Sequence, residues 1–303
     1  MAWSPRSTGF RALPAAAIAA AASANAQEME PRAYVPAPIG VNFAQLAFVH
    51  TSGGVAVDPS LPLDNVEARL NAATLGYLRT FSMFGHAASI GGGLPYVWGN
   101  VEGDVFEARR SVTRSGIGDV RARIAVNLFG GPALDRKQFA SRKPAPALGA
   151  SLSVVAPTGE YDPSHLINIG SNRWAVKPEI GYYQPLGAWS FELAGGVWFF
   201  QDNDDFFGGK HREQQPMQSA QAHLSYTFRR NLWAAADLTY YWGGQTTVNG
   251  EHNADLQKST RAGLTLSVPI ASNYSIKMVW SNGVTTRIGA DFTTYGITLQ
   301  RAW

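Results

Sequence analysis

The 303-residue sequence predicts an all-β chain folded as a transmembrane, antiparallel, up-and-down β-barrel of about twelve strands. Three observations carry that prediction. Stretches of roughly ten to fifteen residues alternate apolar with small or polar side chains, the period that gives a strand two unlike faces. The N-terminus is laid out as an export signal, and the last strand, Tyr295 to Trp303, alternates up to an aromatic final residue. Helical periodicity is hard to find, while 31 glycines and 12% aromatic residues suit many tight turns and interfacial rings.

Arg6 and Arg11 precede the Ala-rich apolar stretch Leu13 to Ala24, and Ala24-Asn25-Ala26 follows as a small-x-small cleavage site, so residues 1–26 read as a secretory signal peptide. That stretch is too short to span a bilayer of ~30 Å as a helix, and no later segment offers ~20 uninterrupted apolar residues. Cleavage would leave 23 basic against 22 acidic residues, a net charge of +1. A near-neutral chain with scattered signs lacks the basic stripe that phosphate backbones require, which argues against nucleic acid as a partner. The absence of cysteine excludes a disulfide scaffold, a thiolate metal site and a Cys nucleophile. Residues 27–38, with Pro31, Pro36 and Pro38, are expected as an extended N-terminal tail, periplasmic or lying in the barrel as a plug strand. Residues 39–303 form the barrel, with no composition break to mark a second domain.

Twelve strands are expected near 39–51, 65–82, 85–100, 117–130, 146–157, 172–185, 188–201, 217–229, 231–243, 257–269, 273–282 and 291–303, an even count. In the second of these the apolar face switches near Ala72-Ala73-Thr74, and the charged stretch 101–116 after the third suits a bulge or a short helix. The later strands alternate cleanly. Trp189, Phe191, Leu193, Val197 and Phe199 oppose Ser190, Glu192 and Ala194; Leu224, Tyr226 and Phe228 oppose His223, Ser225 and Thr227. Leu264, Leu266 and Val268 oppose Arg261, Thr265 and Ser267, and Tyr274, Ile276, Met278 and Trp280 oppose Ser275, Lys277 and Ser281. Connections at 186–188, 229–231 and 270–272 are brief, whereas 202–216, 243–258 and 282–290 are long and polar, as when periplasmic turns alternate with extracellular loops. In the final strand Arg301 falls on the apolar face. A charge there costs roughly 2 to 4 kcal/mol at the bilayer midplane and close to zero at the interface, so Arg301 belongs at the headgroup level.

Alternation assigns Arg121, Arg123, Arg173, Lys177, Glu179, Glu192, His223, Asp237, Arg261 and Lys277 to the lumen. Charges of both signs in one enclosed space either pair and hold a narrow barrel rigid or form a mixed-charge constriction that selects solutes. Of Trp98, Trp174, Trp189, Trp198, Trp233, Trp242, Trp280 and Trp303, most are expected as girdle anchors at the membrane interfaces. Trp198 and Phe200 instead alternate onto the inner face and are the candidates for an apolar ligand path. His223 with Ser225 or Ser219 is the nearest approach to a hydrolase pair, and there is no Gly-x-Ser-x-Gly elbow. Six scattered histidines without His-x-x-His spacing give no metal site, and Asp202-Asn203-Asp204-Asp205 lacks the ligand spacing of a calcium loop. Gly91-Gly92-Gly93 is no phosphate cradle, since neither a Lys-Ser/Thr pair nor a helix follows it.

The block Ala156-Pro157-Thr158-Gly159-Glu160-Tyr161-Asp162-Pro163 and the run Asn168 to Glu179 resemble the outer-membrane family named for the meta-pathway of phenol degradation. The likeness continues through Gln214-Gln215-Pro216, Gln221-Ala222-His223, Tyr240-Tyr241-Trp242-Gly243-Gly244 and Val284 to Gly289, from about Pro31 to the C-terminus. The resemblance implies a β-barrel that carries small, often aromatic, substrates across the outer membrane. An aromatic final residue likewise resembles the signal by which such barrels are handed to their assembly machinery. The expected role is a passive channel in the bacterial outer membrane, non-enzymatic and without cofactor, in contact with outer-membrane lipid and lipopolysaccharide. Its rivals are a structural or adhesive barrel with a closed lumen, a membrane-lipid hydrolase, and a secreted soluble β-sandwich.

Overall fold

All twelve expected strands form, and they pair in chain order until the last meets the first. The computed structural model describes residues 29–54, 58–106, 108–288 and 291–303, with 285–288 as backbone only; the expected signal peptide, 1–26, lies outside the described residues. The first half of the wall comprises β1 (Asn42–Gly54), β2 (Leu63–Met83), β3 (His86–Val105), β4 (Ala108–Ile117), β5 (Val120–Phe129), β6 (Ala147–Ala156) and β7 (Ala175–Leu186). The second half comprises β8 (Trp189–Phe200), β11 (Met217–Arg229), β12 (Leu232–Gly243), β15 (Gln257–Ala271), β16 (Tyr274–Ile288) and β17 (Asp291–Ala302). Two long loops carry β9 (Asn203–Phe206), β10 (Lys210–Gln214), β13 (Thr246–Val248) and β14 (Glu251–His252), which join in a separate four-stranded sheet. Because β4 and β5 are one wall strand interrupted at Gly118-Asp119, twelve strands make the wall. It closes where β1 pairs with β17, Leu46 opposite Leu299 and Phe48 opposite Ile297. Closure satisfies the backbone without leaving an edge in lipid, where each unpaired group costs several kcal/mol.

Side chains sort by face as alternation requires. Leu46, Ile180, Leu193, Leu238, Leu264 and Ile297 are all exposed on the outside, while small polar residues such as Ser151, Ser225, Thr239 and Thr265 are buried inside. So extensive an exposed apolar belt suits hydrocarbon and would be a liability in water, which removes the soluble β-sandwich reading. Arg301 lies where the belt ends, one residue short of the end of β17, with its guanidinium 5.6 Å from the Tyr274 ring and 5.5 Å from that of Trp303. The end of the barrel with the tight turns 187–188, 230–231 and 272–273 is the periplasmic one by the usual asymmetry.

Four expectations need correction. β2 does not change face at residues 72–74: Val66, Ala68, Ala72, Thr74, Leu78 and Thr80 are buried on one side throughout. The apparent switch arises because the strand leaves the bilayer, so that Glu67 and Arg69 face water outside while Val66, Ala68 and Leu70 line an apolar interior. The described residues of 101–116 form no bulge or helix; β3 pairs with β4, Val101 with Val112 and Asp104 with Arg109. The helix of the region is α1 (Arg136–Ser141), on the periplasmic side, started by a capping box in which Asp135 accepts from Lys137 N and Gln138 N. The long loop expected at 282–290 is strand as far as Ile288: Gly283 pairs with Arg261 and Thr285 with Thr260, a register shift that passes over Val284, and β16 continues beyond it. Finally, the segment expected as an extended tail turns within the lumen over residues 31–35, with Ala33 N donating to Glu30 O.

Candidate functional site

The lumen has three levels. At the extracellular end lies a cavity of about 330 Å³. Its walls are the inner faces of β2 and β3 (Val66, Ala68, Leu70, Val97, Val101), the 157–174 loop, and the side chains of Trp198 and Phe200. Two carboxylates hold this mouth together. Asp119, turned out of the wall where β4 gives way to β5, accepts from Gly159 N at 2.9 Å and from Ser171 N at 2.8 Å, which folds the 157–174 loop over the cavity. Asp58 accepts from Arg212 Nε at 2.6 Å, from Ser60 and from Asn253, tying the β9/β10 and β13/β14 hairpins to the first loop. Burial pushes the Asp58 carboxyl up, but the hydrogen bonds from Arg212 and Ser60 outweigh it and hold the group below the ordinary carboxylate range.

Below this cavity the charges predicted for the lumen come together. Glu179 is the hub: Lys177 Nζ lies 2.9 Å away, Arg123 Nη2 3.6 Å, Tyr34 Oη 2.8 Å and Gln221 Nε2 3.2 Å. Cross-strand register sets Glu192 opposite His223 and His223 opposite Asp237, one row across β8, β11 and β12. His223 Nδ1 and Asp237 Oδ1 are 2.7 Å apart, and Thr265 Oγ1 donates to Asp237 Oδ2 at 2.8 Å. Lys277 is buried with Glu30 and Asp237 as the charges acting on it. Charges of both signs thus pair with one another in one interior cluster.

Arg32, Tyr34 and Glu30, which alternation could not place, complete the level. Glu192 accepts from the backbone N of Arg32 at 2.8 Å and of Tyr34 at 3.4 Å, drawing the turn into the lumen. Arg32 holds a left-handed φ of 68°, which aims both amides at that carboxylate. The Tyr34 ring fits only because the wall has glycine beside it: a Cβ on Gly149 would approach it to 2.6 Å and one on Gly181 to 2.1 Å. A proline-bracketed segment with an Arg and a Tyr was the available signal, but no strand period fixed its position.

The remaining predicted residues lie elsewhere. Arg121 lines the upper cavity. Arg173 is not on a strand but in the loop before β7, buried with its guanidinium 4.6 Å over the Phe200 ring and bonded to Gln214. Arg261 stands apart from the hub, 4.1 Å over Phe292, donating to Ser281 Oγ and Phe292 O. Trp198 and Phe200 stack at 6.4 Å on the inner face, as alternation assigned them. Trp233, grouped with the girdle, is instead inside the barrel and 1% exposed, with the Arg32 guanidinium 4.4 Å over its ring.

On the extracellular rim the acidic loop 202–205 acquires a histidine that sequence spacing did not announce. His211 Nδ1 lies 2.7 Å from Asp204 and Nε2 3.2 Å from Glu213, and Asp202, His211 and Glu213 have ligand atoms within 4.8 Å of one another. Hydrogen bonds to Asp204 and then Glu213 raise the imidazole above its ordinary value. A raised folded-state pKa contributes stability that is fully present below the unfolded value of about 6.5 and is lost as pH rises through the folded one. Titration of labelled histidine by NMR is expected to put the His211 midpoint above that reference, and Asp204→Asn to lower it; an unshifted midpoint would contradict the contact.

The protein-family model described as "Putative MetA-pathway of phenol degradation" matches residues 48–297. Among solved structures the chain is similar to an outer membrane channel from Pseudomonas putida F1. That match has 22% identity over 91% of this chain and 100% of that one, with a TM-score of 0.75. It is also similar to the β-domain of the Bordetella autotransporter BrkA, with 12% identity over 88% of this chain and 100% of that one, at a TM-score of 0.53. No curated protein matches the sequence significantly. At these identities the two structures establish the outer-membrane barrel fold.

Proposed function

The chain belongs to the family described as "Putative MetA-pathway of phenol degradation", and on that premise we propose that it is a passive outer-membrane channel for small, largely apolar solutes, aromatic ones among them. The observation that carries this reading is the upper cavity. Apolar side chains line it from within while the outside of the same strands is polar, Val66, Ala68 and Val101 against Glu67, Arg69 and Glu102, so its apolar lining serves something other than lipid. A lining of that kind, at about 330 Å³, is of ligand size. The structural relative from Pseudomonas putida F1 is described as an outer membrane channel, which agrees.

Phenylalanine and serine provide the test, since both are zwitterions that bilayers exclude and they differ by an apolar ring. Proteoliposomes carrying the wild type are expected to pass phenylalanine faster despite its size, and Val101→Trp, which fills the cavity, to remove that preference. Flux ordered by size alone would sink the apolar path. No flux of either solute would favour the second reading, a closed structural barrel, for which the Tyr34 turn in the lumen speaks.

A further inference from the structure

A second cavity of about 330 Å³ lies at the periplasmic end of the lumen, on the far side of the Tyr34 turn. Its charged lining residues are Arg32, Arg142 and Arg230; its aromatic ones include Phe139, Trp189 and Trp233; and no carboxylate lines it among the described residues. From this composition we infer that the cavity binds a small organic acid, a carboxylate on an aromatic or similarly flat apolar body. The inference rests on the channel reading for its role, since it names the class of solute held at the periplasmic exit.

The inventory of donors and acceptors is one-sided. Guanidinium groups are donors only, and their planar fork matches a carboxylate bidentately. The turn that seats Arg32 directs its backbone N–H, not its side chain, at Glu192, and that carboxylate is no part of the cavity lining. Among the described residues the side chain hydrogen-bonds the hydroxyl of Thr227, with Glu192 acting on it through charge alone, and Arg32 Nε is buried without a hydrogen-bond partner. Trp233, 1% exposed, likewise has an indole Nε1 with no acceptor. Asn231 in the same lining has an unpartnered side-chain oxygen, and turning its amide over presents a donor instead. Native interiors seldom leave such donors idle, and a ligand with acceptor oxygens satisfies them.

The apolar half of the ligand follows from what surrounds the charges. Arg32 lies 4.4 Å over Trp233 and Arg142 5.9 Å over Phe139, so the guanidiniums already rest on aromatic faces. A flat ring entering here meets both ring faces and cation edges. A bare inorganic anion would leave Phe139, Trp189 and Trp233 without contact. The upper cavity differs, because the carboxylates in its lining, Asp58 and Asp119, are engaged by the mouth.

Isothermal titration of the full folded chain in detergent tests the inference, with benzoate, benzyl alcohol, acetate and chloride as probes. Benzoate is expected to bind at least tenfold more tightly than each of the others, and the double variant Arg142→Ala/Arg230→Ala to lose at least tenfold in benzoate affinity. Equal binding of benzyl alcohol would overturn the acid group, and equal binding of acetate or chloride would overturn the apolar body. Comparison of the four probes on the wild type decides the matter even if the double variant fails to fold. Val101→Trp, which fills the upper cavity, is expected to keep benzoate binding; its loss there would place the site in the wrong cavity. Benzoate binding without solute flux would overturn the channel reading and leave the acid site standing, whereas flux without benzoate binding would do the reverse.

Discussion

Tyr34→Ala is expected to raise single-channel conductance several-fold in planar bilayers. The Tyr34 ring is 3% exposed in the middle of the lumen, pressed against two wall positions that have no side chain, and its hydroxyl reaches Glu179 at 2.8 Å and Ser151 at 3.0 Å. Twelve strands lie between the roughly eight whose interior side chains can fill and the about 16 or more that leave an open aqueous channel, so an aromatic ring between the two cavities takes up much of the cross-section left for passage. Alanine removes the ring and both hydroxyl contacts while leaving the Tyr34 backbone N–H on Glu192. Gly181→Leu reaches the same end from the wall, because its Cβ would lie 2.1 Å from the Tyr34 ring and must displace it. Two substitutions on different parts of the chain that both open the pore would exclude a local accident. Unchanged conductance in both would show that the turn does not limit the passage.

The fraction of this architecture that was legible follows from where the chain meets lipid. Along β8, β11, β15 and β16 the outer face touches hydrocarbon and the inner face touches other polar side chains, so Leu224 against Ser225 or Leu264 against Thr265 reads directly as out against in. Glu179, Glu192, His223 and Asp237 were assigned to one interior by that rule alone, and register sets the last three side by side. Above the bilayer the rule inverts. Glu67 outside and Val66 inside have the polarity of a lipid-facing strand turned over, which is why β2 seemed to switch face. The Tyr34 turn was illegible for a different reason: its place depends on Gly149, Gly181 and Glu192, residues far away in sequence, and a short irregular segment has no period to interpret. Trp233 failed because an indole suits a membrane interface and a lumen equally, and only pairing register decides between them. The cap of α1 was readable in Asp135 and Gln138, but six residues are too few to show a helical period.

Glu179→Ala is expected to cost about 3 to 5 kcal/mol, the range for breaking a buried ion pair on one side only. Its carboxylate is the common partner of Lys177 at 2.9 Å and Arg123 at 3.6 Å, both of which project from the inner face with little exposure, and it also anchors Tyr34. Glu30, 3.5 Å from Arg123, keeps that cation partly compensated, while Lys177 is 2% exposed and 5.4 Å from the Trp198 ring. The same substitution shifts the balance of charge in the interior cluster toward positive, so, on the channel reading, the reversal potential in a salt gradient is expected to move toward anions. The double variant Lys177→Met/Glu179→Leu distinguishes structure from selection. If the pair only braces the wall, an apolar pair of similar volume restores stability, as buried ion pairs often allow, and ion preference returns with it. If the pair also sets what passes, stability in urea recovers while the conductance falls and its charge preference does not return. A Glu179→Ala protein as stable as wild type would show that the hub is wetter than its burial implies, with water in place of the lost carboxylate.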